Sequence, residues 1–414
     1  MKPLKTTLLA LIATSLFSHA ADFRIWTSLK GTSIEAQFVS YENGEVKLTT
    51  KAPKEIKLKA STLSIADRQY LIEVAGAKGD LIFKGDPSVP EHVYKKPKDF
   101  IKKLEQTMSF DGSSDAVFTL WETEHYLLGV TRGVKPHGLA ETAEACWHGM
   151  ASQHYEFRKN WGTTKKLILI PNDKALYQAI GTYQVVALNK AGHADHANNV
   201  KATWDRVGAP SIITPEKEKE EFKLKSNAIV FQVKDKKDFR KDFNSYQTHV
   251  ICGDLFVLQS DGVTKVEGQG YFALSTGHSY YKEIKLTKKT ETHLLSKEYA
   301  DDISSKSGFK DGTSWAKTLQ KLVKKGEVKP DLVRILNIKD ASELDPEKLV
   351  TMYSLSYYIQ SSQKRIANYA TLVRLVNSSN EIPEPAEFAK IFGFESVEAF
   401  QNDWIEFIKS RSFK

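Results

Sequence analysis

The sequence has few cysteines and no long hydrophobic run in its main part. Only two cysteines, Cys146 and Cys252, occur in 414 residues, which excludes a small scaffold stapled by several disulfides. The pair permits one disulfide, and the sequence leaves its formation open. After residues 1–20 no stretch of ~18 uncharged apolar residues follows, so we expect no integral membrane segment once a signal peptide is removed.

Neither positively nor negatively charged residues dominate the sequence. The chain has 59 Lys and Arg against 51 Asp and Glu, and its formal net charge is +8. The charged stretches at residues 216–225 and 234–242 mix both signs, which is typical of solvated helix faces. A nucleic-acid groove would combine basic residues with exposed aromatics and few acids. We therefore expect no nucleic-acid partner.

Motifs of several common enzyme classes do not occur. The sequence contains no G-x-S-x-G, no phosphate-binding P-loop and no dinucleotide-binding fingerprint. It does contain 41% hydrophobic residues, a fraction typical of globular proteins. Its length allows about two to four domains. The composition predicts a globular protein with more than one domain.

The N-terminus predicts export. Lys2 and Lys5 precede an apolar stretch at residues 6–17, and Ser18 and Ala20 place small side chains three residues and one residue before a cleavage point. This order is typical of a signal peptide, which we assign to residues 1–20. We therefore expect an exported protein, either periplasmic or secreted.

Residues 22–75 alternate between apolar and polar side chains, which predicts short half-buried strands. Asn43 and Gly44 lie between two of these strands and favour a hairpin turn, because both residues tolerate positive φ. Ser64, with Asp67 three positions later, predicts the start of a short helix. The pattern predicts a small SH3-like β-barrel that ends with a helical turn.

A family resemblance favours the same fold. It is carried by residues 23–28, Gly31, residues 34–39 and 46–48, and the pattern Leu63-Ser64-x-x-Asp67-x-x-Tyr70-Leu71. With these residues the segment resembles the Sla homology domain one family, which is named after an endocytic adaptor. The resemblance implies an SH3-like barrel and, by analogy, protein or peptide binding as a cytoskeletal or endocytic adaptor.

The rest of the chain divides into a linker and a larger domain. Glycine, proline and lysine predict a linker at residues 76–115, and the larger domain covers residues 116–414. Its strands are predicted at residues 117–121, 126–130, 167–170 and 228–233, and its first helices at residues 140–160 and 174–181. The last third is predicted to be helical. The fold class is α+β, with an SH3-like β-barrel before a mixed α/β domain whose C-terminal part is all helical.

Four motifs follow one another in the larger domain. They are Trp121-x-Thr123-x-His125-Tyr126, Leu167-Ile168-Leu169-Ile170-Pro171, Glu267-Gly268-x-x-Tyr271-Phe272, and Phe392-Gly393-Phe394 with Phe400 and Trp404. With them, residues 116–414 resemble the gluzincin class of zinc peptidases, in particular its exported peptidase-like members. That class carries H-E-x-x-H on a helix, where two imidazoles bind zinc and the glutamate takes a proton from zinc-bound water.

This sequence departs from that motif, since no H-E-x-x-H occurs. On the predicted helix at residues 248–256, Cys252 and Phe256 occupy the positions of the two zinc-binding histidines. Gly253 occupies the position of the glutamate that acts as the base. Glu267 matches the third ligand, and one carboxylate cannot hold zinc. We expect no catalytic residue, metal or cofactor. The predicted function is a non-catalytic exported binding or adaptor protein with a metal-free pseudo-peptidase domain, whose partner is a protein, peptide or glycan at the cell envelope.

Two other functions stay open. The first is a hydrolase or peptidase with a rearranged cleft, in which His249 and Cys252 accompany Glu267. Tyr271 and His278 are further candidate residues of that cleft. The second is a protein-binding adaptor that acts through the SH3-like domain alone.

Overall fold

The structure is a computed structural model in which part of the chain is described. The described residues are 23–28, 32–75, 88–110, 117–154, 157, 164–266, 270–291, 309 and 312–414. The predicted signal peptide at residues 1–20 lies outside them. Within these ranges, no helix combines the length and the apolar character that crossing a membrane requires.

The N-terminal part is a four-stranded antiparallel sheet followed by a helix. The strands are β1 (Arg24–Thr27), β2 (Ser33–Glu42), β3 (Glu45–Thr50) and β4 (Glu55–Lys59), paired in that order, and the helix is α1 (Ile65–Ala75). The short strands and closing helix predicted for this part are confirmed, whereas its SH3-like identity stays a prediction.

The predicted hairpin turn and the predicted helix start are both present in this part. Asn43 and Gly44 have φ angles of 51° and 80°, which is the left-handed conformation that a tight hairpin needs. The Asp67 backbone N–H donates to Ser64 Oγ at 3.2 Å, and the Ser64 hydroxyl lies 2.9 Å from the Asp67 carboxylate. Asp67 is buried and also pairs with Arg24 at 2.7 Å. These contacts fix the start of α1 against β1.

A six-stranded mixed sheet lies in the larger part of the protein. Its strands are β5 (Lys102–Ser109), β6 (Val117–Glu122), β7 (Tyr126–Val130), β8 (Lys165–Ile170), β9 (Ser211–Ile213) and β10 (Leu224–Val230). Their order is β5-β6-β7-β8-β10-β9. The β7–β8 and β8–β10 pairs are parallel, and the others are antiparallel. The four predicted strands are confirmed, although the last begins at Leu224 and ends at Val230.

Part of the segment predicted as a linker is instead ordered structure. Strand β5 comes from this segment and pairs with β6 at the edge of the sheet. Most of its side chains are exposed or half-buried, so it lacks the apolar alternation that marks a half-buried strand. Residues 88–91, also from the predicted linker, are buried. The larger folding unit therefore begins before residue 102.

Helices cover both faces of the sheet, and the C-terminal part is helical, as the sequence predicts. The first four are α2 (His137–Gln153), α3 (Lys174–Lys190), α4 (Ala194–Thr203) and α5 (Glu216–Glu221). The next five are α6 (Ser245–Gln259), α7 (Asp261–Lys265), α8 (Phe272–Thr287), α9 (Gly312–Lys325) and α10 (Leu332–Leu336). The last four are α11 (Pro346–Ile359), α12 (Gln363–Ser379), α13 (Pro385–Ile391) and α14 (Val397–Lys409). Helix α2 ends earlier than predicted and α3 extends further.

The central strand β8 shows why its apolar run is continuous. Ile168 and Ile170 join the core that contains α2, α6, α8 and the C-terminal helices. Leu167 and Leu169 join a second core under α3 and α4. Successive side chains of a strand point to opposite faces, so a strand covered on both faces has apolar residues at every position. The N-terminal sheet is docked on this body through α1, which packs against α12.

Helices α8 and α11 approach closely at Gly277. A Cβ atom at this position would lie 2.3 Å from the backbone oxygen of Met352. We expect Gly277→Ala to lower the free energy of unfolding by about 1–3 kcal/mol, because backbone atoms cannot move aside as a side chain can. The helix propensity of alanine, worth ~1 kcal/mol, offsets only part of this loss. Urea denaturation measures the change.

A matched control lies on the same helix. Ser275 is half-buried and its hydroxyl bonds the helix's own backbone at Phe272, so Ser275→Ala is expected to change the free energy of unfolding by under ~0.5 kcal/mol. A Gly277→Ala protein as stable as this control would contradict the close contact between α8 and α11.

Candidate functional site

Five of the seven predicted cleft residues lie on two helices that pack side by side, α6 and α8. Cys252, Gly253 and Phe256 are on α6, and His278 is on α8. Cys252, Phe256 and His278 are all fully buried. Glu267 lies outside the described residues. The two ligand positions on the helix, Cys252 and Phe256, are therefore part of a packed interior.

Gly253 has a packing role between the two helices. A Cβ atom at this position would lie 2.6 Å from the hydroxyl oxygen of Ser279 on α8. Glycine therefore allows α6 and α8 to approach closely. This contact accounts for the glycine at the position where the resemblance would place a general base.

His249 is part of a buried hydrogen-bond network. Its Nδ1 lies 2.9 Å from Glu283 Oε2, and the Glu283 side chain is fully buried. The hydroxyls of Ser245 and Thr290 donate to the same carboxylate at 2.6 and 2.9 Å. Because His249 is held by Glu283, its imidazole links α6 to α8.

The two cysteines lie next to each other as free buried thiols. The Sγ atoms of Cys146 on α2 and Cys252 on α6 are 3.5 Å apart. Hydrogen bonding to Cys252 and then burial raise the pKa of the Cys146 thiol well above its usual value. A nucleophilic cysteine needs a stabilised thiolate and solvent access, and neither is present at Cys146.

Two buried histidines lie beside Phe256. The rings of His154 and His278 have centroids 5.6 Å apart, and the His278 ring is 4.6 Å from Phe256. Gln360 Nε2 lies 3.2 Å from His278 Nδ1. Burial, and then the charge of Lys282, lower the pKa of both imidazoles well below 6.5. Both rings are therefore neutral at neutral pH.

A buried lysine supplies the positive charge in this interior. Lys282 Nζ on α8 lies 2.7 Å from Glu91 Oε1, and both side chains are fully buried. The ammonium also donates to Gln153 Oε1 at 2.8 Å and to the Ser88 backbone oxygen at 3.2 Å. Glu91 and Ser88 belong to the predicted linker. Gly149 makes room for this insertion, since a Cβ there would lie 2.3 Å from Glu91 Cγ.

Tyr271 lies apart from these contacts. It precedes the first residue of α8, and its hydroxyl donates to the backbone oxygen of Pro383. It lines a surface groove with Pro383 and Glu384. His249, Cys252, His278 and Tyr271 thus bond to four different partners. Each of these four candidate cleft residues is therefore held by a different contact.

A second cluster of titratable side chains was missed in the sequence. Glu124 and His125 lie in the turn between β6 and β7, and Glu144 and His148 lie one turn apart on α2. One ligand atom from each of these four residues lies within 4.8 Å of all the others. We call these residues the β-turn/α2 cluster. The four-residue spacing of Glu144 and His148 on a predicted helix is the sequence signal that could have indicated it.

Buried contacts orient the imidazoles of the β-turn/α2 cluster. Glu144 is almost fully buried and accepts from the His125 backbone N–H at 2.8 Å, while its other oxygen lies 2.7 Å from His125 Nδ1. Trp147 stacks on the His125 ring with centroids 3.3 Å apart. Tyr94 stacks on the His148 ring at 5.0 Å. Each ring has a fixed plane and a defined direction.

The electrostatics of the β-turn/α2 cluster favour the ionised form of Glu144. Burial alone would raise the pKa of Glu144, but hydrogen bonds and charge from His125 outweigh it and hold the pKa below its usual value. Burial, followed by the charge of Glu144, raises the pKa of Tyr94 to about 12. Burial, and then His125, lower the pKa of His148. At neutral pH the cluster therefore contains an ionised Glu144 and an unprotonated His148.

A basic cavity of about 580 Å³ lies at the C-terminal end of α8. Its charged lining includes Lys285, Lys288 and Arg365, and its aromatic walls are Tyr357 and Phe407. The Lys285 ammonium lies 3.9 Å from the centre of the Tyr357 ring. Such a combination suits ligands that carry carboxylates and flat or apolar groups.

Comparisons with protein-family models, with curated proteins and with solved structures find no match for this chain. Both family resemblances of the sequence therefore stay predictions.

Proposed function

We propose that this protein is an exported, non-catalytic binding protein whose peptidase-like domain carries out no hydrolysis. The observation that supports this most is the packed interior between α6 and α8. Cys252 and Phe256 are fully buried there, and the Lys282–Glu91 ion pair fills the space beside them. A hydrolytic zinc site needs ligand side chains and an open position for water or substrate.

The rearranged hydrolase has less support than the binding protein. A catalytic thiol–imidazole pair requires hydrogen-bond contact between the two groups and access for the substrate. His249 instead contacts Glu283, and Cys252 contacts Cys146. Each group already has a buried partner, so catalysis would require the helices to separate.

The basic cavity supports binding of an acidic peptide. Lys288 is exposed at its rim. Lys285 and Arg365 line its wall, where the Lys285 ammonium donates to the backbone oxygen of Lys414 at 3.0 Å and Arg365 pairs with Asp403 at 2.8 Å. Guanidinium and ammonium groups form charge-assisted hydrogen bonds with carboxylates, and Tyr357 and Phe407 offer flat apolar surface for a peptide backbone or side chain. We propose that peptides rich in Asp and Glu bind in this cavity.

Fluorescence anisotropy with labelled acidic and basic peptides tests the binding. We expect the acidic peptide to bind preferentially and its affinity to fall as salt is added. Lys288→Glu should weaken it by about tenfold, which corresponds to ~1.4 kcal/mol. Lys201→Glu makes the same charge change on exposed α4 and should leave binding unchanged. Equal loss in both variants would contradict a site at the cavity.

A second measurement addresses the absence of hydrolysis. Incubation of the purified protein with a broad peptide library, with and without added Zn²⁺, should leave the peptides intact when they are analysed by mass spectrometry. Cleavage that disappears in His249→Ala or Cys252→Ser protein would overturn the proposal in favour of the rearranged hydrolase.

A further inference from the structure

We propose that the β-turn/α2 cluster is a binding site for a divalent transition-metal ion of the Zn²⁺ class, with His125 Nε2, His148 Nε2 and the Glu124 carboxylate as ligands. The site is separate from the α6–α8 interior and from the basic cavity. The inference does not depend on the proposed function, and its test gives an independent result.

The distances from the two imidazoles to the Glu124 carboxylate are compatible with one shared ion. His148 Nε2 lies 3.6 Å from Glu124 Oε2, and His125 Nε2 lies 3.8 Å from Glu124 Oε1. Around a tetrahedral ion with bonds of about 2.0–2.2 Å, neighbouring ligand atoms are roughly 3.3–3.6 Å apart. Small rotations of the exposed Glu124 side chain would bring its oxygens to these distances. Direct hydrogen bonds between the same groups would be about 2.7–3.2 Å long.

Glu144 lies where its carboxylate can orient the His125 ring. It lies 2.7 Å from His125 Nδ1, so a neutral ring that donates its Nδ1–H to Glu144 would have Nε2 available to coordinate an ion. A carboxylate that accepts from the second nitrogen of a ligating imidazole is a recurrent feature of metal sites, because it fixes the tautomer and raises the basicity of the ligand. Glu144 is buried and would not need to move when an ion binds.

The imidazole planes are held before any ion binds. Trp147 stacks on His125 with an interplanar angle of 11°, and Tyr94 stacks on His148 with an angle of 16°. Ligands that are already ordered lose little rotamer entropy when they coordinate an ion. The third ligand, Glu124, is the most exposed, since 71% of its side chain is accessible to solvent.

Charge also favours a cation at this position. Within the described part of the chain, the ion pairs of Glu124 and Glu144 are all formed with His125 and His148. A divalent cation would compensate the two carboxylates. Two imidazoles with one carboxylate favour Zn²⁺ and related transition metals, whereas Ca²⁺ and Mg²⁺ prefer oxygen ligands. Three protein ligands leave a fourth position for water or a donor atom of a ligand.

Competition with a chromophoric chelator measures Zn²⁺ binding to the full chain. We expect the wild-type protein to take a single Zn²⁺ from the chelator. Glu124→Gln and His148→Gln should each weaken the affinity by at least ~10-fold. Glu124 is exposed in a turn, so its substitution should leave folding unchanged, which circular dichroism checks. His196→Gln, an exposed histidine on α4, is the matched control and should bind as the wild type does.

A spectroscopic signature places the ion beside His125. Co²⁺ should bind with visible absorption bands of a four-coordinate ion and should quench the fluorescence of Trp147, because this indole lies against the His125 ring. Trp147→Phe should retain most Co²⁺ binding and lose this quenching. Wild-type protein that takes up no Zn²⁺, or equal affinities in Glu124→Gln, His148→Gln and His196→Gln, would overturn the proposal.

Discussion

Replacing Lys282 by methionine is expected to lower the free energy of unfolding by about 3–5 kcal/mol. The substitution removes the ammonium group that lies 2.7 Å from Glu91 in a fully buried environment. The Glu91 carboxylate would remain without a counter-charge, and desolvation then disfavours its ionised form. Urea denaturation followed by circular dichroism measures the loss. Glu91→Met should be destabilising for the converse reason, because Lys282 would keep only neutral acceptors.

The double variant separates the effect of the buried charges on stability from the effect of side-chain packing. Lys282→Met combined with Glu91→Met removes both charges and keeps similar volumes, so it should recover most of the stability lost in either single variant. The exposed pair Lys57–Glu45, with its atoms 3.4 Å apart, provides the control, and Lys57→Met should cost under ~1 kcal/mol. A Lys282→Met protein no less stable than this control would show that the pair is not buried.

Acidification is expected to destabilise the protein sharply below about pH 6.5, well before most carboxylates protonate. The pKa values of His154 and His278 are lowered from 6.5 in the fold, so the unfolded chain binds protons that the folded chain does not. Their contribution to stability is complete above pH 6.5 and falls as the pH drops. Each histidine contributes about 1.4 kcal/mol per pH unit in that window, and the pair about twice as much.

Unfolding curves at pH 7.5, 6.5 and 5.5 test this dependence. His278→Gln should reduce the slope of stability against pH, since it removes one of the two fully buried histidines with a lowered pKa. His196→Gln removes an exposed histidine and should leave the slope unchanged. Glu144 also has a lowered pKa, but its contribution is lost only as the pH falls below its usual value. Stability that is constant from pH 7.5 to 5.5 would be inconsistent with buried neutral imidazoles.

Local sequence patterns predicted the elements that are determined by burial or by hydrogen bonds within a few residues. The run Leu167 to Ile170 is apolar at every position because both faces of β8 are covered, and Asn43-Gly44 adopts the positive φ angles that its turn requires. Ser64 and Asp67 cap α1 because the hydrogen bonds involved span three residues. In these cases the cause of the structure lies within a few residues of the pattern.

Features that depend on contacts distant in sequence were not predictable in this way. Strand β5 is stabilised by its ladder with β6 while its side chains stay largely exposed, so its composition is that of a linker. Glu91 is charged and yet buried because Lys282, 191 positions further along the chain, lies beside it.

The β-turn/α2 cluster shows the same limit at a candidate site. His125 carried part of a family resemblance, but its contact with Glu144 depends on how α2 crosses the turn between β6 and β7. Neither the apolar pattern of the helix nor that of the strands indicates how these elements cross. Only the spacing of Glu144 and His148 was visible in advance.

The insertion of residues 88–109 into the larger folding unit determines where the chain can be divided. A fragment that starts at residue 113 would have no β5, and the exposed edge of β6 would then be free to pair with other molecules and aggregate. It would also lack Glu91, so a desolvated ammonium would be left in its interior. Fragments intended to map ligands to one half of the protein should therefore be cut upstream of Ser88, so that both pieces keep their own cores.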